Sequence, residues 1–166
     1  MAGFAPEEVE DGTGRSTAIV YDNVDAAKAW LDRRGLTAFG LADEDVQKAA
    51  LVRATDAAED AIRQHVRLVH FEPTQALLFP GVGAYDSSGR LMEENERPLI
   101  YRQGIFLLAA EIIAGTFMQV AKTPLNIASE SSRRGSITYR QGVNPGSLAA
   151  NHSEAWSKIS FVIPQL

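Results

Sequence analysis

"ERPLIYRQGIFLLAAEII", Glu96 to Ile113, is the stretch from which the rest of this chain is read. Tyr101, Ile105, Leu108, Ala109, Ile112 and Ile113 recur at helical spacing, and Phe117 continues the pattern. Pro98 suits the first turn of a helix, where a missing N–H costs nothing. The spacing predicts a helix from Glu96 to about Val120, the most apolar in the chain and therefore the central one.

Two further helices precede it. Asp22 or Asn23 can cap one that runs to about Arg34, with Gly35 as its stop and Ala26, Ala27, Trp30 and Leu31 on one face. The next starts at Asp43, where Glu44 and Asp45 complement the helix dipole. Its stripe is Val46, Ala50, Ala54, Ala57 and Ala61, with Leu51, Ala58 and Ile62 beside it. So many alanines predict close approach to a neighbouring helix. Met1 to Arg15 is polar and turn-rich, which reads as an extended arm, and "STAIVY" (Ser16 to Tyr21) as a short strand or extended lead-in.

Between the second and central helices, Pro73 and Pro80 break any helix, leaving His65 to Phe79 as strand or irregular loop. Beyond Pro124 the period changes from 3.6 to 2. "LNIASE", "SSRRG" and "SITYRQ" read as a β-hairpin with Arg133-Arg134-Gly135 at its tip. Gly142 to Gly146 is a linker, and Ser147 can cap a short helix through Trp156. "ISFVIPQL" is an apolar, extended tail closed by Pro164, with Ile159, Phe161 and Ile163 on one face, which either folds back onto the chain's own helices or docks on a partner. The expected fold is mainly α: a small bundle of about three to four helices with a β-hairpin insertion and extended N- and C-terminal arms. In one domain, the helical core covers about 16–120, the hairpin about 124–142 and the C-terminal arm about 143–166.

Composition narrows the function. A chain of 166 residues, 45% hydrophobic and 22% charged, is of ordinary single-domain size and character. Its net charge of −5 argues against a surface built to coat nucleic acid. With no cysteine, thiolate catalysis, disulfides and cysteine-ligated zinc are excluded. No apolar run approaches bilayer length, and the acidic opening lacks the features of a signal peptide. The Asn151-His152-Ser153 triplet is then idle as a glycosylation site, and the expectation is a soluble intracellular or virion protein, with no membrane partner.

Chemistry-bearing motifs are scarce. The glycines of "QALLFPGVGAYDSSGR" (Gln75 to Arg90) lead into a second turn rather than a helix, and no Gly-Lys-Ser/Thr follows. A phosphate-cradling loop is the weaker reading. His65, His70 and His152 lack metal-site spacing, so no metal and no cofactor is expected. Glu93, Glu94 and Glu96 form a solvated acidic turn, and Glu111 in the apolar helix faces solvent or pairs with a base such as Arg102 or Lys122. No nucleophile elbow or catalytic triad pattern is present, so no enzyme is expected. One basic and aromatic cluster remains: Arg133 and Arg134, with Tyr139 and Arg140 on the returning strand. It could contact phosphates or stack a base. A solvated turn or a protein contact is the plainer reading.

The order of these pieces carries a resemblance. "VEDGTG", "VDAAKAWLDRRG", "QKAALVRATDAAEDAI", "TQALLFPGVGAYDSSGRL" and "ERPLIYRQGIFLLAAEII" resemble segments of small tailed-phage and prophage head-tail connector proteins. Those proteins are often labelled DnaT-like single-stranded-DNA-binding proteins. The likeness covers Val9 to Gly115 and continues through "IASESSRRGSITY"; from Asn144 onward it is least. The family's "ALIRATDYLD" element falls on Ala50 to Asp60, and its "QALxWPR.GxYDxxG" element on Gln75 to Gly89. Phe79 stands where that element has tryptophan, and Gly81 where it has arginine.

The resemblance implies a structural virion protein, a helical adaptor between portal and tail. It would form a homo-oligomeric ring of about twelve copies, following the portal's symmetry, in the neck around the DNA channel. Its implied partners are copies of itself, the portal protein, a tail or stopper protein and, transiently, genomic DNA. The host cytoplasm would hold it during assembly. Gln75 to Arg90 then becomes a structural turn that packs Leu77, Leu78 and Phe79 on the helices and presents Tyr85 and Asp86 at a subunit surface. The family label implies the alternative, a protein that binds single-stranded DNA.

Overall fold

The computed structural model describes residues 3–63, 68–83, 85, 90–116, 129–132, 135–138 and 154–159. Among these, helices form at Val24–Asp32 (α1), Ala38–Leu41 (α2), Glu44–Arg63 (α3), Leu99–Ile113 (α4) and Glu154–Ile159 (α5). Short strands form at Val69–His70 (β1), Gly81–Val82 (β2), Ser129–Ser132 (β3) and Gly135–Thr138 (β4). The fold is mainly helical. Packing divides the chain into two units, Met1–Phe117 with Glu154–Leu166, and Met118–Ser153.

In the first unit α4 is the central element. Tyr101, Gly104 and the run Ile105 to Ala109 are all buried, because α3 covers one side of the helix and α5 another. The helix is shorter than its apolar period predicts. Gly115 has φ +70°, its N–H reaches Ile112 O at 3.2 Å, and Thr116 N reaches Glu111 O at 3.0 Å. This is a Schellman cap, and a glycine in the left-handed region outranks further apolar residues in ending the helix.

α1 is capped by Asn23, whose side chain accepts from Ala26 N at 2.8 Å. It ends in the same way as α4, with Gly35 at φ +74° and Leu36 N on Leu31 O. α3 buries Ala50, Ala54 and Ala58 among larger side chains, and these small residues let it lie close on α4. Its expected stripe needs one correction. Val46 is 48% exposed, and Gln47 takes the buried place, donating to Phe39 O and Ala42 O at 2.7 and 2.9 Å. Phe39 lies in α2, a single helical turn that periodicity does not reveal, and Ala42 caps it.

Two terminal expectations change. The N-terminal segment is bound to the core: Pro6–Glu8 is a 3₁₀ turn, Val9 bridges Val20, and Glu10 is wholly buried. Ser16 to Tyr21 forms no named strand beyond that bridge. At the other end, Ile159 closes a helix and is 1% exposed. An added Cβ on Gly104 would lie 2.8 Å from Ile159 Cγ1 and 3.0 Å from Ala155 O, so the absent side chain makes the seat for α5. Ile159 is therefore part of the chain's own core, the fold-back reading of the tail at this residue.

The second unit contains the predicted hairpin. β3 and β4 are antiparallel, with Ser129 opposite Thr138 and Ser132 opposite Gly135.

Candidate functional site

The segment Leu68 to Val82 is fixed by pairing, by a buried amide and by inward apolar side chains. β1 and β2 pair antiparallel, Val69 opposite Val82 and His70 opposite Gly81. Gln75 is buried beneath them. Its amide nitrogen donates to Leu77 O at 2.7 Å and Pro80 O at 2.8 Å, while its oxygen accepts from Glu72 N at 2.9 Å. Leu77, Leu78 and Phe79 turn inward and are buried, and the Phe79–Pro80 peptide is cis. Gly83 has φ +75°, so the glycine pair makes a strand and a turn.

Glu59 fixes this segment to the bundle. Its carboxylate accepts from Tyr21 Oη at 2.5 Å, Tyr101 Oη at 3.2 Å, Leu78 N at 2.8 Å and Arg63 Nη2 at 3.1 Å. Tyr21 Oη in turn accepts from Phe79 N at 3.0 Å. Four elements distant in sequence meet on one carboxyl group. Burial raises the Glu59 pKa, and the donors around it only partly offset that effect. The tyrosines are pushed up too, first by burial and then by the Glu59 charge. The rings of Phe79 and Tyr21 each pack on Tyr101, with centroids 5.2 and 5.4 Å away. Phe79 thus fills an aromatic place, as the expected tryptophan would.

A second carboxylate organises the N-terminal loop. Glu10 Oε1 accepts from Gly12 N and Gly14 N at 2.8 and 3.0 Å, and Oε2 from Arg15 N at 2.8 Å. Gly12 and Gly14 both have positive φ, which turns the amides inward around the carboxylate. Arg97, just before α4, holds the outside of this loop by donating to the carbonyl oxygens of Glu10 and Tyr21. Arg102 pairs with Asp22 at 2.6 Å, so it is not the partner expected for Glu111.

The surface that remains is apolar with an acidic border. Val69 is 67% exposed, Tyr85 50% and Leu91 56%, and Tyr85 bridges Leu91. Beside Leu91 lies an open groove of about 550 Å³, lined by Phe71, Leu91, Met92, Glu93, Glu94 and Asn95. No group of metal-ligating side chains occurs among the described residues.

Of the residues expected to act, Tyr85 is 50% exposed. Asp86, Arg133, Arg134, Tyr139, Arg140, Phe161 and Ile163 lie outside the described residues, as do His65 and His152. Sequence reasoning missed Glu10 and Glu59. Glu59 left a signal, because it falls on the buried face of α3 one turn after Thr55 and between Ala58 and Ile62. For Glu10 the spacing of Gly12 and Gly14 was the available cue.

No curated protein and no solved structure matches the chain. The family model described as "Putative DnaT-like ssDNA binding protein" matches residues 8–155. That span takes in the Glu10 loop, the Glu59 junction and both strands of the hairpin, and by it the chain belongs to the DnaT-like ssDNA-binding protein family.

Proposed function

We propose that this protein is a head-tail connector, a structural adaptor that forms a ring between the portal and the tail of a virion, around the DNA channel. The observation that carries this reading is where the aromatic and basic side chains go. A strand-coating protein needs exposed aromatics along a basic groove. Here Tyr21, Trp30, Phe39, Phe79, Tyr101 and Phe106 are all buried in the helical unit. Arg15, Lys28, Lys48, Arg63, Arg90 and Arg102 each face a carboxylate of the same chain. The groove beside Leu91 is bordered by Glu93 and Glu94, which repel phosphate. An acidic, interlocked helical body with apolar side chains outside suits protein contacts, and suits a channel through which DNA slides without adhering. The segment-by-segment likeness from Val9 to Gly115 supports the same reading.

The test is composition: purified particles should contain this chain in the same copy number as the other neck proteins. Its absence from complete particles contradicts the proposal.

The family's description favours a second reading, binding of single-stranded DNA. On the sequence reading that activity depends on the cluster of Arg133, Arg134, Tyr139 and Arg140. On the connector reading, fluorescence anisotropy at near-physiological salt gives weak, sequence-independent binding that fades as salt rises, because counterion release supplies the affinity. Replacing the three arginines removes it. Submicromolar binding at that salt would reverse the order of the two readings.

A further inference from the structure

We propose that copies of this chain contact one another head to tail, the corner between α1 and α2 of one copy entering the acidic-bordered groove of the next. The inference rests on the connector reading for its biological setting and on two described surfaces for its chemistry.

The first surface is the groove. Phe71 and Leu91 line it with Met92 at its floor, and Glu93 and Glu94 stand exposed at its border. Arg90, the nearest cation in sequence, is already bound to Glu96 through both guanidinium nitrogens, at 2.9 and 3.2 Å. Neither Glu93 nor Glu94 has a side-chain partner among the described residues. An occupant should therefore bring apolar side chains flanked by positive charge.

The second surface sets exposed leucines beside two arginines. Leu41 is 84% exposed, the highest value among the exposed large apolar residues, and Leu36 is 40% exposed. Arg33 and Arg34 adjoin Leu36 in the turn that ends α1. They are held by main-chain carbonyls, Arg33 Nε on Ala29 O at 2.9 Å and Arg34 Nη1 on Trp30 O at 3.3 Å. The Arg34 guanidinium also lies 3.4 Å over the Trp30 ring. Both arginines are thus positioned without a neutralising carboxylate among the described residues. Elsewhere in the helical unit most cations are paired, so this corner is unusual in a chain of net charge −5.

A second copy of the chain is the occupant that charge complementarity selects. The two surfaces differ, so the contact is heterologous, and repetition closes a ring if the rotation permits. Opposite charge at the border sets orientation and disfavours like-with-like pairing of either surface.

The absence of native cysteine makes the test clean. Leu41→Cys and Leu91→Cys replace exposed side chains, so neither opens the core. Equal amounts of the two single-cysteine proteins, mixed and oxidised, should give a ratio of mixed disulfide to the two like pairs about tenfold above the statistical value. Glu93→Arg with Glu94→Arg in the L91C protein should return the products to the statistical ratio. Adding Arg33→Glu with Arg34→Glu in the L41C partner should restore the excess, an outcome that a misfolded variant cannot produce. A statistical mixture from the original pair, or an excess indifferent to charge reversal, overturns the proposal. The connector reading fails separately: charge-dependent cross-linking in a protein absent from particles leaves this contact standing, and a neck protein with statistical cross-linking leaves only the connector standing.

Discussion

Glu59 sits where Tyr21, Leu78, Arg63 and Tyr101 all converge, so its removal strands several donors at once. Glu59→Ala should cost about 3 kcal/mol in urea unfolding, since buried donors lose their acceptor without regaining water. Glu59→Gln should cost about 1 kcal/mol, because its oxygen can still serve Leu78 N while the tyrosine hydroxyls turn to accept from its amide. The two variants also separate charge from shape. An acid whose pKa is raised by folding binds more protons native than unfolded, so stability falls as pH rises from its ordinary 4.5 through the raised native value. Against Glu59→Gln, which does not titrate, the wild-type protein should lose ground over that window. Asp11 works in the opposite sense. The hydrogen bond from Arg15 holds its carboxyl well below the usual carboxylate range, so its contribution is present above its ordinary 3.8 and lost as pH falls through the lowered value. Urea titrations of both proteins at several pH values would resolve the Glu59 component as a difference between two curves.

At the scale of elements, the seat of α5 on α4 is the contact most exposed to a single change. Gly→Ala inside a helix ordinarily gains about 1 kcal/mol. At Gly104 the added methyl would meet Ile159 Cγ1 at 2.8 Å and the backbone of α5 at 3.0 and 3.2 Å. Gly104→Ala should therefore speed amide exchange across Glu154–Ile159 at least about tenfold while α3 stays protected. Unchanged exchange in α5 would mean that the seat yields freely. This contact also marks what the sequence could and could not reveal. α1, α3, α4 and the β3–β4 hairpin were legible because caps, alanine stripes and the period-2 pattern are local signals. The inward packing of Leu77, Leu78 and Phe79 was legible from an apolar run closed by proline and glycine. α2 was not, being one turn long, and neither was the docking of Ile159, which depends on a missing side chain more than fifty residues earlier. The polar junctions were hidden for the same reason. Glu59 and Glu10 acquire their roles from partners that only the folded chain assembles.

At the scale of the whole molecule, Tyr21, Trp30, Phe39, Phe79, Tyr101 and Phe106 go to the core, and most of the cations paired among the described residues face carboxylates of the same chain. What it offers outward is Tyr85, Leu91, Val69 and Leu41, with acidic side chains around the groove. Such a surface favours protein neighbours over a nucleic-acid strand, and the one basic and aromatic cluster read from the sequence is Arg133, Arg134, Tyr139 and Arg140. On the connector reading, many copies, each acidic and interlocked, would let DNA pass rather than hold it. Electron cryo-microscopy of the particle neck tests it most directly. The account predicts a ring of this chain between portal and tail, with α4 central in every copy. A neck fully occupied by other proteins, with no density that this chain fits, would contradict it.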